Sequence, residues 1–396
     1  MVSNRTFSPQ EMKFLIALQE NPNATLEELA KATKFSISFV YKILKRLTET
    51  KNYEKPAFSI TAHPNQFALG LEVIDVIVNC KNISQIQIMQ QLSFLHPYTI
   101  YWAKCFGEVN GIFFQFRIPI GSRGYINELF SGLKKQNYIE SYQILEFGVK
   151  NVIYTTVKLE FWNLEQLSWN FNWENWFHKQ IEISQKEGMV QIKSNINTQD
   201  SARKAGYVKK WFRQRDAAIL NELVVNAKRK NKKIMEALKT NCNINFSAQS
   251  FSRRFMKIKD DCVDLIRVFI DPNAFQLITP ILILGKGDKT QIKELVMRLK
   301  LDPIPFNSVL KAKNSQFFWY LHLPSIFLTY LLDKLQGILT EFQFFYIDVG
   351  TVRSWGVWYE TFDDETHNWI QTRKFMVDDV LNGISKFVQN NDNLKK

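Results

Sequence analysis

Cysteine, glycine and proline are all scarce in this sequence. The four cysteines, Cys80, Cys105, Cys242 and Cys262, have neither CxxC spacing nor a neighbouring histidine pair. Neither a zinc site nor a disulfide framework is therefore indicated, and a reducing compartment is expected. With 15 glycines and 11 prolines in 396 residues, the chain does not have the composition of a fibrous or disordered protein. We expect a globular protein with no metal and no other cofactor.

Long apolar runs are also missing. The N-terminus has no charged stretch that leads into an apolar segment, which argues against a secretory leader. The most membrane-like stretch, Phe317 to Leu332, contains His322, Pro324 and Ser325 and is shorter than the roughly 20 residues that a membrane helix needs. We therefore expect a cytoplasmic protein without a membrane partner.

The motifs of several common enzyme classes are absent as well. The sequence contains no GxSxG, no GxxxxGK[ST], no HExxH and no GxGxxG that leads into a helix. The five histidines, at positions 63, 96, 178, 322 and 367, are scattered along the chain, and each is expected at the surface or within a hydrogen-bonded core. No nucleophile, base or metal site stands out, so the sequence predicts that the protein is not an enzyme.

Positive charge is present in excess and is concentrated in one segment. The formal net charge is +13, and residues Ser201 to Asp260 carry 16 Lys and Arg against 4 Asp and Glu. Residues Met1 to Lys55 carry 9 against 6. This distribution indicates a polyanionic partner, although charge alone does not separate nucleic acid from an anionic membrane surface.

Short segments of the first half return in the same order in the second half. The pairs are Asn65–Leu69 with Asn273–Leu277, Phe113-Phe114 with Phe317-Phe318, Pro119 with Pro324, and Asn175-Trp176 with Asn368-Trp369. Their offsets of 193 to 208 residues drift smoothly, as loop insertions would make them. Because the chain is also longer than one hydrophobic core supports, two copies of about 190 residues are predicted.

Hydrophobic periodicity predicts the same element order, βαββαβ, in both copies. The expected strands and helices of the first copy are Leu71–Asn79, Ser84–Phe94, Thr99–Phe106, Gly111–Pro119, Ser122–Lys135 and Tyr138–Phe147. Those of the second copy are Ile278–Leu284, Thr290–Leu299, Phe306–Lys311, Gln316–Leu323, Ser325–Leu335 and Phe342–Val349. This order is that of the ferredoxin-like split βαβ motif.

A tryptophan-rich segment follows each predicted sheet, at Phe161 to Trp176 and at Trp355 to Trp369. Two interpretations are open. The tryptophans could stack on bases or sugars, or they could pack over a sheet face or in a subunit contact.

A helix-turn-helix is predicted between Thr25 and Leu47. Thr25 and Glu28 form the pattern of a capping box, and Val40, Leu44 and Leu47 place an apolar stripe on a second helix. The outward face of that helix then carries Ile37, Ser38, Tyr41, Lys42 and Lys45. The alternative is an ordinary helical hairpin with a solvated basic face.

The same helix-turn-helix pattern recurs between Lys232 and Ile258. Phe251, Phe255 and Ile258 form the apolar stripe, and the outward residues are Gln249, Ser252, Arg253 and Lys257. The turn, from Lys239 to Phe246, is longer than the first one.

Together these segments resemble the leucine-responsive and asparagine-regulator (Lrp/AsnC) family of transcription regulators. The resemblance is carried by Ser36–Tyr41, Ile60–Leu69, Ser250–Arg254 and Ile270–Phe275. It implies double-stranded DNA as partner and an amino acid or similar small molecule as effector. It also implies pairing of the two copies through their sheets as an intramolecular pseudo-dimer, with further homo-oligomerisation left open.

The resemblance further implies an effector site at the turn between the second and third strands. In the first copy this turn contains Gly107, Glu108, Asn110 and Gly111. The second copy departs from the pattern with Lys313-Asn-Ser315, which puts ligand sensing by that copy in doubt.

The predicted fold class is α+β, with two tandem copies of a winged helix-turn-helix followed by a ferredoxin-like βαββαβ sandwich. The expected domains are helix-turn-helix 1 at 1–62, sandwich 1 at 63–180, a linker at 181–209, helix-turn-helix 2 at 210–271, sandwich 2 at 272–374, and a C-terminal helix and tail at 375–396.

The predicted function is that of a sequence-specific DNA-binding transcription regulator with its recognition helices in the major groove. The predicted DNA-binding residues are Ser36, Ile37, Ser38, Tyr41, Lys42, Lys45, Arg46, Lys228, Arg229, Lys230, Lys232, Lys233, Gln249, Ser252, Arg253, Arg254 and Lys257. Two alternatives remain: a ligand sensor or interaction scaffold with degenerate helix-turn-helix segments, and an RNA-binding protein that stacks bases on its sheet.

Overall fold

The computed structural model describes residues 5–49, 56–147, 152–179 and 204–394. Most of the expected linker at 181–209 lies outside these ranges. Within them, no helix combines the length and the apolar character needed to cross a membrane.

The first half begins with three helices and continues into an antiparallel sheet and a tryptophan-rich segment. Its helices and strands are α1 (Pro9–Glu20), α2 (Leu26–Thr33), α3 (Ile37–Thr48), β1 (Phe58–Pro64), α4 (Gln66–Leu69), β2 (Leu71–Asn79), α5 (Ile83–Leu95), β3 (Thr99–Gly107), β4 (Gly111–Pro119), α6 (Arg123–Lys135), β5 (Ser141–Leu145), β6 (Val152–Thr155), β7 (Trp162–Asn163), β8 (Ser168–Trp169) and α7 (Trp173–His178).

The second half follows the same plan and ends in an additional helix. Its elements are α8 (Gln214–Val225), α9 (Asn231–Cys242), α10 (Ala248–Asp261), β9 (Val263–Ile270), β10 (Thr279–Gly287), α11 (Lys289–Leu301), β11 (Ser308–Lys313), β12 (Gln316–Leu323), α12 (Leu328–Gln336), β13 (Leu339–Ile347), β14 (Arg353–Ser354), β15 (Phe362–Asp363), β16 (Asn368–Trp369) and α13 (Asp379–Leu394).

Each half contains a ferredoxin-like sheet, and the predicted fold class is confirmed. The strand order is β5-β2-β4-β3 in the first sheet, called sheet 1, and β13-β10-β12-β11 in the second, called sheet 2. Strands β2, β4 and β12 have the bounds predicted from the sequence, because their β-branched and aromatic runs end at turn residues. Strand β5 is shorter than predicted, and β13 begins three residues earlier.

The two sheets face one another and also join at one edge. Strand β3 of sheet 1 pairs with β13 of sheet 2, with Phe106 opposite Tyr346. Between the faces, the ring of Phe113 lies 6.1 Å from that of Phe318 and 6.2 Å from that of Tyr320, centroid to centroid. The apolar core between the sheets consists of Ile77, Ala103, Cys105, Phe113, Leu145, Leu282, Leu284, Phe318, Phe345 and Ile347.

The tryptophan-rich segments pack across the two halves. Trp169 from the first half donates its indole N–H to the carbonyl of Phe275 in the second half, at 2.8 Å. Trp369 from the second half donates to the carbonyl of Leu69 in the first, at 2.7 Å. Trp173 stacks on Phe306 beneath the second sheet, with 6.0 Å between ring centroids. These buried rings serve as core, which favours aromatic packing over base stacking.

The three-helix units cross over in the same manner. The first unit, α1 to α3, shares one continuous core with the helix-covered face of sheet 2, and Phe7 stacks on Phe275 with 4.9 Å between centroids. The second unit, α8 to α10, shares a core with sheet 1, where Phe212 contacts Trp369. Strands β1 and β9 form an antiparallel ribbon that links the two units. Each half therefore completes the core of the other.

Candidate functional site

The first helix-turn-helix is formed by α2 and α3 against α1. Thr25 and Glu28 form the predicted capping box, with Thr25 N–H to Glu28 Oε2 at 2.7 Å and Glu28 N–H to Thr25 Oγ1 at 3.2 Å. Helix α2 ends at Lys34 in the left-handed region (φ 59°), and the side chain of Ser36 caps α3 by accepting from Phe39 N–H. Val40, Ile43 and Leu47 are buried, and Leu44, predicted inward, is half-buried.

The outward face of α3 is exposed along its length, and two of its cations form ion pairs. Ile37, Ser38, Tyr41 and Lys42 are exposed near the N-terminal end of α3. Arg46, whose own side chain is 64% exposed, pairs with Glu11 of α1, whose side chain is 3% exposed. This ion pair ties α3 to α1, so Arg46 has a structural role that the sequence alone did not reveal. Lys45 pairs with Glu49 one turn later, at 3.7 Å.

The second helix-turn-helix is formed by α9 and α10 against α8. Helix α9 continues to Cys242, so the turn spans only residues 243–247 and is shorter than the predicted Lys239–Phe246. Asn243 adopts the left-handed conformation (φ 55°) that ends α9. Ser247 caps α10 through Ser250 N–H at 3.2 Å. The first turn spans residues 34–36, so the second turn is longer, as the sequence indicated, but by less than predicted.

Two adjacent arginines of α10 have different surroundings. Gln249, Ser252 and Arg253 are exposed on the outward face of α10. Arg254 points the other way: its Nε lies 3.3 Å from Oδ1 of Asp216, a fully buried residue of α8, and its guanidinium lies over the ring of Trp211. Lys257 also lies over Trp211, with Nζ 4.3 Å from the ring centroid. Arg254 thus holds α10 against α8.

The basic cluster before and at the start of α9 is also divided. Lys228 donates to the carbonyl of Ala24 in the first unit at 2.7 Å, which joins the two three-helix units. Arg229 pairs with Glu222, a residue 8% exposed. Lys230, Lys232 and Lys233 are exposed, and within the described part of the chain none of them forms an ion pair. These three lysines remain available for a ligand.

The carboxyl group of Asp216 makes the stability of the second unit depend on pH. Burial raises the pKa of Asp216 from 3.8 to about 6, while Arg254 opposes this shift. Between these values the folded protein binds more protons than the unfolded chain. We therefore expect the contribution of this group to the free energy of unfolding to fall by about 2–3 kcal/mol as pH rises from about 4 to about 6.

Urea unfolding at pH 4 and pH 7 checks this expectation. Asp216→Asn removes the titrating group, so the loss of stability between the two pH values should be larger in the native protein than in the variant. An identical pH dependence in both proteins would mean that the carboxyl titrates alike in the folded and unfolded chains.

The predicted effector turn lies at the seam between the two sheets. A Cβ added to Gly107 (φ 144°) would lie 2.2 Å from the carbonyl oxygen of Phe344 in β13, and one added to Gly111 would lie 1.8 Å from that of Val78. The backbone of the neighbouring strand lies so close that both positions require glycine. Glu108 and Asn110 are exposed at the tip of the turn. The effector role of these four residues stays a prediction.

Sequence reasoning missed a group of buried polar residues between the sheets, which includes Asp75, Arg117 and Lys311. The sequence contained an indication of these residues, because each charged residue interrupts a strand whose neighbouring positions are apolar. Among the described residues, no cluster of histidine, cysteine, aspartate and glutamate is arranged to hold a metal ion.

Comparison with known proteins shows similarity of fold. No family model matches the chain, and no curated protein matches it. The siroheme decarboxylase NirDL matches with a TM-score of 0.47 and 9% identity, covering 96% of this chain and 99% of that one. Its co-complex with an iron-uroporphyrin III analogue gives 0.46 and 10%, covering 85% and 90%. AsnC of E. coli gives 0.30 and 17%, covering 39% and 99%.

These matches correct one prediction. The sequence excluded an enzyme because the common catalytic motifs are absent, but structures that match over nearly the whole chain are those of a decarboxylase. The exclusion is therefore wrong. The motifs searched for describe only some enzyme classes, and a fold can carry more than one function.

Proposed function

We propose that the protein is a sequence-specific, double-stranded DNA-binding transcription regulator of tandem Lrp/AsnC type, with α3 and α10 as recognition helices in the major groove. One observation carries this proposal: Gln249, Ser252 and Arg253 share the exposed face of α10, while the adjacent Arg254 is fixed against α8. The exposed side chains have the donors and acceptors that read base edges.

The exposed lysines fit a different part of the same interface. Lys230 directly precedes α9 without capping it through its side chain, and Lys232 and Lys233 lie in the first turn. The free N–H groups of a helix N-terminus attract phosphate, and exposed lysines nearby add to that field. In a helix-turn-helix this first helix crosses the phosphate backbone, so these lysines supply affinity without sequence information.

The first unit would contribute through Ile37, Ser38, Tyr41 and Lys42. These four residues include one cation, Lys42, and two larger apolar or aromatic groups, while the other exposed cations of α3 are paired with Glu49 and Glu11. Apolar contacts with thymine methyl groups and hydrogen bonds from Ser38 are the readout available to such a face. In this proposal the second unit supplies most of the positive charge that faces DNA, and the first unit supplies shape complementarity and apolar contacts.

Selection of bound duplexes from a random pool tests the function directly. We expect recovered sequences to share a motif, and the full-length chain to bind that motif more tightly than random duplex at physiological salt. Recovery without any shared motif, or equal affinity for the motif and for random duplex, would remove the specific DNA-binding role.

A matched pair of variants tests the role of the lysines. Lys232→Ala with Lys233→Ala should weaken binding to all duplexes and reduce the slope of log affinity against log salt by about 1.8, because each lysine neutralises one phosphate. The control, Lys134→Ala with Lys135→Ala, removes two exposed lysines from α6. Fluorescence anisotropy over a salt series measures both. Equal changes in the two variants would show a general charge effect instead of a located contact.

A further inference from the structure

The exposed faces of α3 and α10 differ at equivalent positions. Ser36 and Ser247 cap the two helices, and Val40 and Phe251, each four residues after its cap, are both fully buried. The helices can therefore be aligned residue by residue from their caps. The exposed positions then hold different side chains, with Ser38 against Gln249, Tyr41 against Ser252, Lys42 against Arg253 and Lys45 against Met256.

These differences change which base edges each face can contact. The guanidinium of Arg253 can donate to both acceptors of guanine, and the amide of Gln249 matches the donor and acceptor of adenine. On α3 the ring of Tyr41, which is 54% exposed, stands where α10 has the small side chain of Ser252. Ile37 is a second exposed apolar group on α3, at 48%. Apolar groups contact thymine methyl groups, so the two faces fit different base sequences.

The helices that precede the recognition helices begin with opposite charges. When α2 and α9 are aligned on the residue before each helix, Glu27 and Glu28 of α2 are equivalent to Lys232 and Lys233 of α9. All four side chains are exposed. In a helix-turn-helix this helix meets the phosphate backbone. The second unit therefore attracts phosphate at a place where the first unit repels it.

The two units are joined to one another, so neither face turns independently. Strands β1 and β9 pair along Phe58–His63 and Leu265–Ile270. Lys228, just before α9, donates to the carbonyl of Ala24, just before α2, at 2.7 Å. The N-terminal ends of α2 and α9 thus lie at one junction, and the reversal of charge occurs across it.

We infer that one chain binds an asymmetric duplex in a single orientation, with unlike half-sites for α10 and α3. The half-site of α10 contains guanine and makes most of the phosphate contacts, whereas that of α3 contains thymine and makes fewer. Two identical helix-turn-helix units would read a palindrome, because their symmetry repeats the same contacts on both halves. Two unlike units in one chain remove that requirement. This inference rests on the proposed DNA-binding function and adds the form of the site.

Binding of the full-length chain to three short duplexes tests the inference. One duplex holds the site recovered by selection, and each of the other two is a palindrome built from one half of that site and its inverted repeat. We expect the asymmetric duplex to bind at least about tenfold more tightly than either palindrome, because each palindrome removes the base contacts of one unit.

The outcomes separate this inference from the proposed function. A palindromic motif from the selection, or a palindrome bound as tightly as the asymmetric site, would overturn the inference and leave sequence-specific DNA binding intact. Recovery of no shared motif would remove the DNA-binding function, and the inference with it.

Two variants assign the halves to the two units. Arg253→Ala should weaken binding to the palindrome of the guanine-containing half about fivefold or more and leave binding to the other palindrome unchanged. Tyr41→Ala should give the reverse pattern. Both side chains are exposed, so neither change is expected to alter folding. If each variant weakened binding to both palindromes equally, the two faces would not have separate half-sites.

Glu27→Lys tests whether α2 lies against the phosphate backbone. The change gives α2 a cation at the position of Lys232 and keeps the capping box of Thr25 and Glu28. Affinity for the asymmetric duplex should rise, and the slope of log affinity against log salt should steepen by about 0.9. The control, Glu140→Lys, makes the same charge change at an exposed residue before β5. Equal changes in the two variants, or no change in slope with Glu27→Lys, would contradict the placement of the first unit on the duplex.

Discussion

Replacing Lys311 by Met should lower the free energy of unfolding by about 3–5 kcal/mol. Lys311 of sheet 2 and Asp75 of sheet 1 form an ion pair in which the side chains are 7% and 1% exposed. Removing the cation leaves the Asp75 carboxylate buried, with only the Gln115 amide as a strong partner. Because the pair joins the two sheets, the loss is expected in the cooperative unfolding of the whole sandwich, measured by urea denaturation.

Two further variants test whether the unpaired buried carboxylate causes the destabilisation expected for Lys311→Met. Lys311→Met combined with Asp75→Leu should recover most of the lost stability, since a buried apolar pair replaces a buried ion pair at little cost. Lys286→Met breaks the exposed pair with Glu341, whose side chains are 45% and 65% exposed, and should change stability by about 1 kcal/mol or less. If the single Lys311 variant lost no more than the Lys286 variant, the buried pair would not hold the sheets together.

Substituting the two adjacent arginines of α10 one at a time should separate an effect on DNA recognition from an effect on folding stability. Arg253→Ala should reduce the discrimination between the best duplex and random duplex by about 1–3 kcal/mol without changing stability, because an exposed guanidinium can read guanine. Arg254→Ala should lower the free energy of unfolding by about 3 kcal/mol at pH 7, because it leaves Asp216 buried and unpaired. Anisotropy titrations and urea denaturation on the same preparations measure both quantities.

The pH dependence of Asp216 adds an internal control to this comparison. At pH 5 the destabilisation by Arg254→Ala should shrink, since Asp216, whose pKa is about 6, is then mostly protonated. A loss of discrimination in Arg254→Ala as large as in Arg253→Ala, measured where both proteins are folded, would contradict the division of roles.

Periodicity and turn chemistry were enough to predict both sheets and the residues that point outward from α3 and α10. The alternation of Phe113 to Pro119 and the capping pair Thr25 and Glu28 act within a few residues, and local patterns of this kind can be read directly from a sequence. The side-chain partners could not be read in this way. Arg46, Lys228 and Arg254 were all predicted to bind DNA; Arg46 and Lys228 are exposed, but each of the three is held by a group distant in sequence.

The sequence by itself determined the α+β class, the βαββαβ order of each half and the concentration of positive charge around the second three-helix unit. Only the tertiary structure decided that each half completes the core of the other, that some of the described basic residues are held by distant groups while others are not, and that Asp75 and Lys311 pair between the sheets. The physical reason is the range of the interactions. Helix and strand formation depends on neighbouring residues, whereas the pairing of Asp75 with Lys311 and the hydrogen bond from Trp169 to Phe275 depend on chain segments brought together only in the folded protein.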